Sequence, residues 1–377
     1  LTQPTSHADS TVTVAPAQTL QRIDGFGASD AWYGAWIHYY ADTTTQTQIL
    51  DDLFSPTTGA GLSLLRHRVP PTIEPSQGTF DWTTDNDIVW LTYEAQARGV
   101  PTVWATVWSP PAWMKSNNDV NNGGIVNPSN YPDYANYLAQ YVLQYQDLFG
   151  IKISGISIAN EPQISAGYES SNWNGQQYHD FILNNLGPTF AQDGVRANVM
   201  MPEEYYWDDG LASQTLQDPA TAGYVGIVNT HNYGGTIAPF TDAEALGKPV
   251  WETEVSNLGG DDESITDGLS WAVTIHDSLV TGKANAWHWW WAFDDYADTS
   301  GQSLVYGNPW NDTMRVAKRL WTIGNFARFV RPGDHMCAVS SSTPESGVYV
   351  TAYIHGSPAN QIEVVAINTN SNSTNIT

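Results

Sequence analysis

The chain reads as short apolar runs separated by longer amphipathic stretches, and that alternation limits the folds open to it more than any single motif does. The runs fall at 62–69, 102–107, 153–158, 195–201, 225–230, 249–254 and 284–291, after a first strand in Gln21-Arg-Ile-Asp-Gly-Phe-Gly27. They are continuous, as strands buried on both faces of a parallel sheet are. Helices are expected at 45–53, 86–97, 131–148, 175–186 and 264–281, with Asp, Asn or Pro near several starts. Strand and helix alternating about eight times is the pattern of a closed parallel barrel.

Such a barrel takes ~250 residues, whereas this chain has 377. Beyond Asn325 the texture changes. Gly347-Val-Tyr-Val-Thr-Ala-Tyr353 and Gln361-Ile-Glu-Val-Val-Ala-Ile-Asn368 alternate like antiparallel strands joined by a Gly/Ser/Pro/Asn turn. Two strands are marginal alone, so a strand at Thr11-Val-Thr-Val14 is expected to pair with them in a second, all-β unit.

Fourteen Lys and Arg against thirty-nine Asp and Glu give a net charge of −25. A surface this negative repels polyanions, which excludes nucleic acid as a partner. No apolar run approaches the ~20 residues of a spanning helix, so no membrane partner is expected. Cys337 is the single cysteine, and no intrachain disulfide signals secretion. Secretion is expected on other grounds: the chain begins at Leu1 as if a leader had been removed, and Ser, Thr and Asn abound while Lys is scarce. Asn311, Asn372 and Asn375 lie in glycosylation sequons. Seventeen Trp and nineteen Tyr are many for this length; some fill the core, and flat aromatic faces also bind sugar rings. A monomer is expected.

Ile156-Ser-Ile-Ala-Asn-Glu-Pro162 is an apolar strand that runs into an amide, a carboxylate and a proline. Pro162 ends the ladder, which delivers Glu161 to the C-terminal mouth of the barrel. Pro249-Val-Trp-Glu-Thr-Glu-Val255 brings a second carboxylate, and counting by two puts Glu252 and Glu254 on one face. Carboxylates from two strand ends are what glycosidic-bond cleavage requires, one to protonate the departing oxygen and one to attack or stabilise the oxocarbenium-like carbon. Arg66, in Leu64-Leu-Arg-His-Arg68, suits holding a carboxylate ionised, with a structural ion pair as the alternative. His231 and Tyr233 share a face in Thr230-His-Asn-Tyr-Gly234, where Tyr233 can donate to a carboxylate. The sequence has no metal-ligand spacing, no Gly-x-Ser-x-Gly elbow and no Gly-rich phosphate loop. No cofactor is expected.

Four further stretches occur in order: Trp108-Ser-Pro-Pro-Ala-Trp-Met-Lys-Ser-Asn-Asn118 with Gly123-Gly124, Asn160-Glu161-Pro162, Tyr168-Glu-Ser-Ser-Asn-Trp-Asn-Gly175, and Phe326-Ala-Arg-Phe-Val-Arg-Pro-Gly333. Together they resemble xylanases of glycoside hydrolase family 30, over nearly the whole chain. The resemblance implies an α/β fold: a (β/α)8 TIM barrel over 21–325 with an attached side β-sandwich from 1–20 and 326–377, incomplete at its C-terminal end. It also implies a retaining mechanism on β-1,4-xylan or xylooligosaccharides.

In that reading Glu161 is the acid/base, and Glu254 the nucleophile because Trp251-Glu-Thr-Glu254 matches the family's Trp-x-Thr-Glu. Asn160 would hold the sugar 2-hydroxyl, and Arg66 and Tyr233 would steady the nucleophile, with His231 in the family's His-x-Tyr position. Trp108 and Trp289 would line the subsite where the bond breaks, and Trp113 and Tyr168 join the substrate-binding set. One departure stands out. Bacterial glucuronoxylan-specific relatives carry an arginine just after the last barrel strand, but here Trp289-Trp-Trp-Ala-Phe-Asp-Asp295 has Phe293, Asp294 and Asp295. Obligatory recognition of a glucuronate branch is therefore not expected. The aromatic loop Ala28-Ser-Asp-Ala-Trp-Tyr-Gly-Ala-Trp36 could wall off one end of the cleft; a walled cleft would give exo action, such as release of xylobiose, an open one endo action, and the sequence leaves both open. The alternatives are hydrolysis of another β-linked polymer, β-1,6-galactan or β-1,6-glucan, and a non-catalytic carbohydrate-binding protein.

Overall fold

The computed structural model describes residues 10–356 and 361–377. Its strands are β1 (Val14–Arg22), β2 (Gly25–Ser29), β3 (Leu64–Arg68), β4 (Thr102–Thr106), β5 (Ile153–Ser157), β6 (Asn198–Glu204), β7 (Val225–His231), β8 (Val250–Glu254), β9 (Ala286–Asp295), β10 (Ser303–Asn308), β11 (Thr313–Val316), β12 (His335–Val339), β13 (Val348–Ile354) and β14 (Ile362–Asn368). Strands β2 to β9 run parallel, each beside the next, and β9 pairs with both β2 and β8 to close the ring. The expected barrel is present. β6 lies further along the chain than its apolar run, reaching Glu204 where the run stops at Met201. The β10–β11 hairpin, which extends the sheet outside β9, has no counterpart in the sequence reading.

The barrel is filled by Leu64, Trp104, Met200, Ile227, Trp251 and Ala286, while a larger apolar layer lies between strands and helices. The helices form where expected because their ends are specified locally. The Ser264 hydroxyl accepts from Asp267 N to start the helix Ile265–Val280. Asn174 and Gln177 cap each other's backbone at Gly175. Gly150, at φ 67°, ends the helix Tyr131–Phe149 in the left-handed conformation glycine adopts freely. The stretch expected as one helix over 175–186 is helical to Phe181, then passes through a π turn (Ile182–Leu186) into a further helix ending at Asp193.

Three bulges decide which side chains reach the barrel mouth, the first at Glu203, the extra residue on β6 between Pro202 paired to Asn229 and Glu204 paired to Thr230. Thr230 pairs with Glu252 but His231 pairs with Glu254, so Thr253 is an extra residue on β8. An extra residue re-aims whatever follows it, and the two glutamates lose the face that counting by two assigns them. The Glu252 carboxylate accepts from His288 N on β9 at 2.9 Å, whereas Glu254 turns to Arg66 on β3. On β9 the extra residue is Trp290, between Trp289 paired to Ala28 and Trp291 paired to Ser29.

The β8–β9 seam is built differently from the others. Only Trp251 and Ala286 are in register there, where every other seam of the barrel has three or more such pairs. Backbone bonds at its two ends, Asn285 N to Val250 O at 2.7 Å and Trp290 N to Val255 O at 2.9 Å, and side chains between them complete it. Val250 N donates to Asn285 Oδ1 at 2.8 Å, and His288 Nδ1 donates to Glu252 O at 2.8 Å.

Beside the barrel lies a four-stranded antiparallel sheet in the order β1-β12-β13-β14. The N-terminal strand does join it, through a strand that begins at Val14. The expected turn at 357–360 lies outside the described residues. The sheet rests on the helix Ile265–Val280, where the His276 ring meets Tyr349 edge to face at 5.1 Å. Among the described residues no helix is long and apolar enough to cross a membrane.

Candidate active site

Glu161 is held at the mouth by the backbone around it. The buried Tyr134 hydroxyl donates to the Ile158 carbonyl, Asn160 N donates to Val107 O at 2.8 Å, and Glu161 N donates to Glu203 O at 3.0 Å. Pro162 disfavours the right-handed helical region for the residue before it, and Glu161 takes a left-handed conformation, φ 44°. Glu203 does the same at φ 62°. Such a backbone costs a non-glycine residue ~1–3 kcal/mol and persists where the surroundings over-determine it, commonly at functional sites.

Arg66 stands at the centre. Its guanidinium donates to Glu254 Oε2 at 2.5 Å, Asn160 Oδ1 at 2.6 Å and Glu203 Oε1 at 2.7 Å, and its face lies 4.5 Å from the Trp108 ring centroid. Tyr233 donates to the other oxygen of Glu254 at 2.9 Å. His231 Nδ1 lies 3.2 Å from Glu161 Oε1, and its Nε2 is 3.5 Å from Glu203 Oε1 and 3.8 Å from Glu254 Oε2. Five ionisable groups from four strands and the segment after β5 are thus joined in one buried network.

The charges in the network balance in a definite way. Burial alone would lower the His231 imidazole, but Glu254, Glu161 and Glu203 carry it up to about 10, so it is a cation at neutral pH. Burial opposes ionisation of Glu203 as well, yet Arg66 and His231 overcome it and hold the carboxyl below its ordinary value. At Glu254 burial prevails and raises the carboxyl, with Glu161 adding to the rise and His231 and Arg66 opposing it. An oxygen of Glu161, a nitrogen of His231 and an oxygen of Glu254 all lie within 4.8 Å of one another. That triangle has the donor types of a cation site, but a protonated imidazole cannot ligate and Arg66 already supplies the positive charge.

The two glutamates open onto a cavity of about 710 Å³. Asn160, Trp108, Tyr168 and Tyr233 line it, while Arg66 and His231 lie behind the wall, against the carboxylates. Two expectations fail. Trp289 is wholly buried outside the barrel, edge-on to Trp271 at 4.8 Å, and its indole N–H donates to Gln302 O. The bulge at Trp290 explains this, because it brings Trp290 and Trp291 to the cavity instead. Trp113 also does not line the cavity; it packs on the core and donates to Glu74 O at 3.0 Å. Sequence reasoning missed Glu203, Tyr205, Trp290 and Trp291. The only signal for Glu203 was its place just past a strand end.

Two carboxyls this close, over a cleft paved with aromatic rings, are equipped for hydrolysis at an acetal carbon, and the chain is a glycoside hydrolase. A model of glycosyl hydrolase family 59 matches residues 24–328. The catalytic domain of GH30 xylanase C from Talaromyces cellulolyticus is 32% identical with a TM-score of 0.85, over 96% of this chain and 87% of that one. The subfamily 8 xylanase Xyn30A from Clostridium acetobutylicum is 31% identical with a TM-score of 0.81, over 98% and 87%. Glucuronoxylanase XynC of Bacillus subtilis is 26% identical over 96% of this chain and 78% of its own length. The chain belongs to the glycosyl hydrolases that the family 59 model describes, and its whole-length likeness, side sheet included, places it in family 30. The reading as a non-catalytic binding protein is set aside.

Proposed function

We propose that the enzyme cleaves β-1,4-xylosidic bonds in xylan with retention of configuration, with Glu254 as nucleophile and Glu161 as acid/base. The observation that carries this is the spacing of the pair. One oxygen of Glu161 and one of Glu254 lie within 4.8 Å of each other, a near approach that favours the ~5–5.5 Å carboxyl separation of retaining enzymes over the ~6.5–9.5 Å of inverting ones. Arg66 and Tyr233 hold the two oxygens of Glu254, which aims the carboxylate at the anomeric carbon and disperses its charge. Glu161 gives its proton to the departing glycosidic oxygen, and the C1–O bond breaks as the Glu254–C1 bond forms. Water then enters, Glu161 takes a proton from it, and the new hydroxyl displaces Glu254. Asn160 accepts from Arg66, so its amide nitrogen stays available to donate to the sugar 2-hydroxyl.

The choice of xylan rests on the xylanases named above. Endo-1,6-β-D-glucanase of Neurospora crassa, 25% identical, and endo-β-1,6-galactanase of Hypocrea rufa, 21% identical, are also relatives, and a panel of the three polymers separates the readings. Xylan should be cut fastest, and proton NMR of the first product should show the β-anomer. A first product in the α-form rejects the double displacement, and full turnover by Glu161→Gln or Glu254→Gln removes that residue from its role. We further propose that the protein is secreted and monomeric. Asn311, Asn372 and Asn375 are all exposed, as glycan acceptors must be, and a mobility shift on endoglycosidase treatment of the protein from a eukaryotic host tests their use.

A further inference from the structure

The rings at the site do not stop at the cavity. From Trp108, beside Arg66, ring centroids step to Trp290 at 5.5 Å, Trp291 at 4.9 Å, Tyr33 at 5.3 Å, Trp36 at 4.9 Å and finally Trp310 at 4.8 Å. The cavity lining ends at Trp36. Trp310 lies beyond it, on the turn between β10 and β11, and is 69% exposed, more than any other large apolar side chain among the described residues. Exposing an indole so fully wastes its burial free energy.

The turn nevertheless fixes the ring in place. Trp310 N donates to Asn308 Oδ1 at 2.9 Å, and Asp42 N donates to Asp312 Oδ1 at 3.0 Å, which ties the turn to the next segment of the barrel. Trp36 then holds the indole edge to face.

We propose that this row is a sugar-binding track and that Trp310 is its outermost platform, taking a pyranose unit of the substrate outside the cavity. The inference rests on the polysaccharide reading above and extends it. The chain does not end at the loop 28–36; it passes over Tyr33 and Trp36 and continues onto the β10–β11 turn. The ligand is an uncharged stretch of the polymer, since an aromatic face engages the C–H surface of a sugar ring. Trp310 touches neither glutamate nor the Arg66 network, so its effect is confined to substrates long enough to reach it.

The test compares kcat/KM of the wild type, Trp310→Ala and Trp310→Tyr on linear xylooligosaccharides from xylotriose to xylooctaose. The wild type should gain in kcat/KM once the chain spans the row. Trp310→Ala should lose about fivefold to tenfold on the long members through KM, the scale of one aromatic contact, with kcat on the short members unchanged. Trp310→Tyr, which keeps a ring, should retain most of the gain. Parallel length profiles for the wild type and Trp310→Ala overturn the track while leaving the xylanase reading intact. A wild type that turns over no member of the series overturns both.

Discussion

Glu203 Oε1 accepts from Arg66 Nη2 at 2.7 Å, and neither side chain reaches solvent. Arg66 therefore spans two acids, one on β6 and one on β8, and Glu203 offsets charge that Glu254 alone would face. Glu203→Ala leaves the buried guanidinium with Glu254 and Asn160 but without its second acid, a loss whose upper bound is the ~3–5 kcal/mol of a fully broken buried pair. Because Glu203 titrates below its ordinary value of 4.5, its contribution is present above that pH and is lost as pH falls below it. Urea melts across pH should show the wild type losing this stability on acidification and the variant lacking it throughout.

Tyr233→Phe removes one hydrogen bond to Glu254 and leaves the ring, which stacks on Tyr205 at 4.8 Å. A hydrogen bond to a charged group is worth ~1.5–3 kcal/mol. The expected result is a fall in kcat/KM of about tenfold to a hundredfold, with the fold retained as judged by circular dichroism.

His231 is a cation at neutral pH and opposes the rise of the Glu254 carboxyl. His231→Asn removes that charge, and a carboxylate that loses a neighbouring cation titrates at higher pH. The acidic limb of kcat/KM should move upward by about one unit; a limb left in place would show that the imidazole serves packing only.

Burial pushes the Glu252 carboxyl up to about 8, against an ordinary value of 4.5. The folded state thus keeps a proton that the unfolded chain releases. For a raised carboxyl the linked stability is full below 4.5 and drains away as pH rises toward 8. Glu252→Gln cannot ionise, so between those values its stability should fall less steeply with pH than that of the wild type. Chemical melts at pH 5 and pH 8 measure the difference.

A side recess next to the cleft shares Tyr33, Trp291 and Gln302 with it and is lined by Asp294, Asp295 and Asp298. Burial raises the Asp294 carboxyl to about 7, so Asp295 and Asp298 carry the repulsion of a glucuronate branch, and among the described residues no positive side chain lines the recess. Digestion of glucuronoxylan should release products that are not enriched in acidic oligosaccharides, as judged by anion-exchange profiling.

The sequence was most legible where a local rule decides the structure. Continuous apolar runs, helix caps and a proline after Asn160-Glu161 were enough to place the barrel and both glutamates at strand ends. It was least legible where one extra residue shifts the count. Trp289 was expected at the substrate because counting by two cannot see the bulge at Trp290, and the bulge at Thr253 separates Glu252 from Glu254. Glu203 was missed for a related reason. Its left-handed backbone turns the side chain toward Arg66 in a way no periodicity encodes. Trp113 misled through its motif, since its ring serves the core and its N–H serves Glu74.

The ring is closed between β8 and β9 by side chains as much as by the strands themselves, through Asn285, Glu252 and His288. The seam lies between the strand that ends in Glu254 and the strand that carries Trp290 and Trp291. Asn285 and Glu252 therefore hold the distance between that carboxylate and the surface a sugar rests on, and a substitution at either reaches the cleft without touching the substrate.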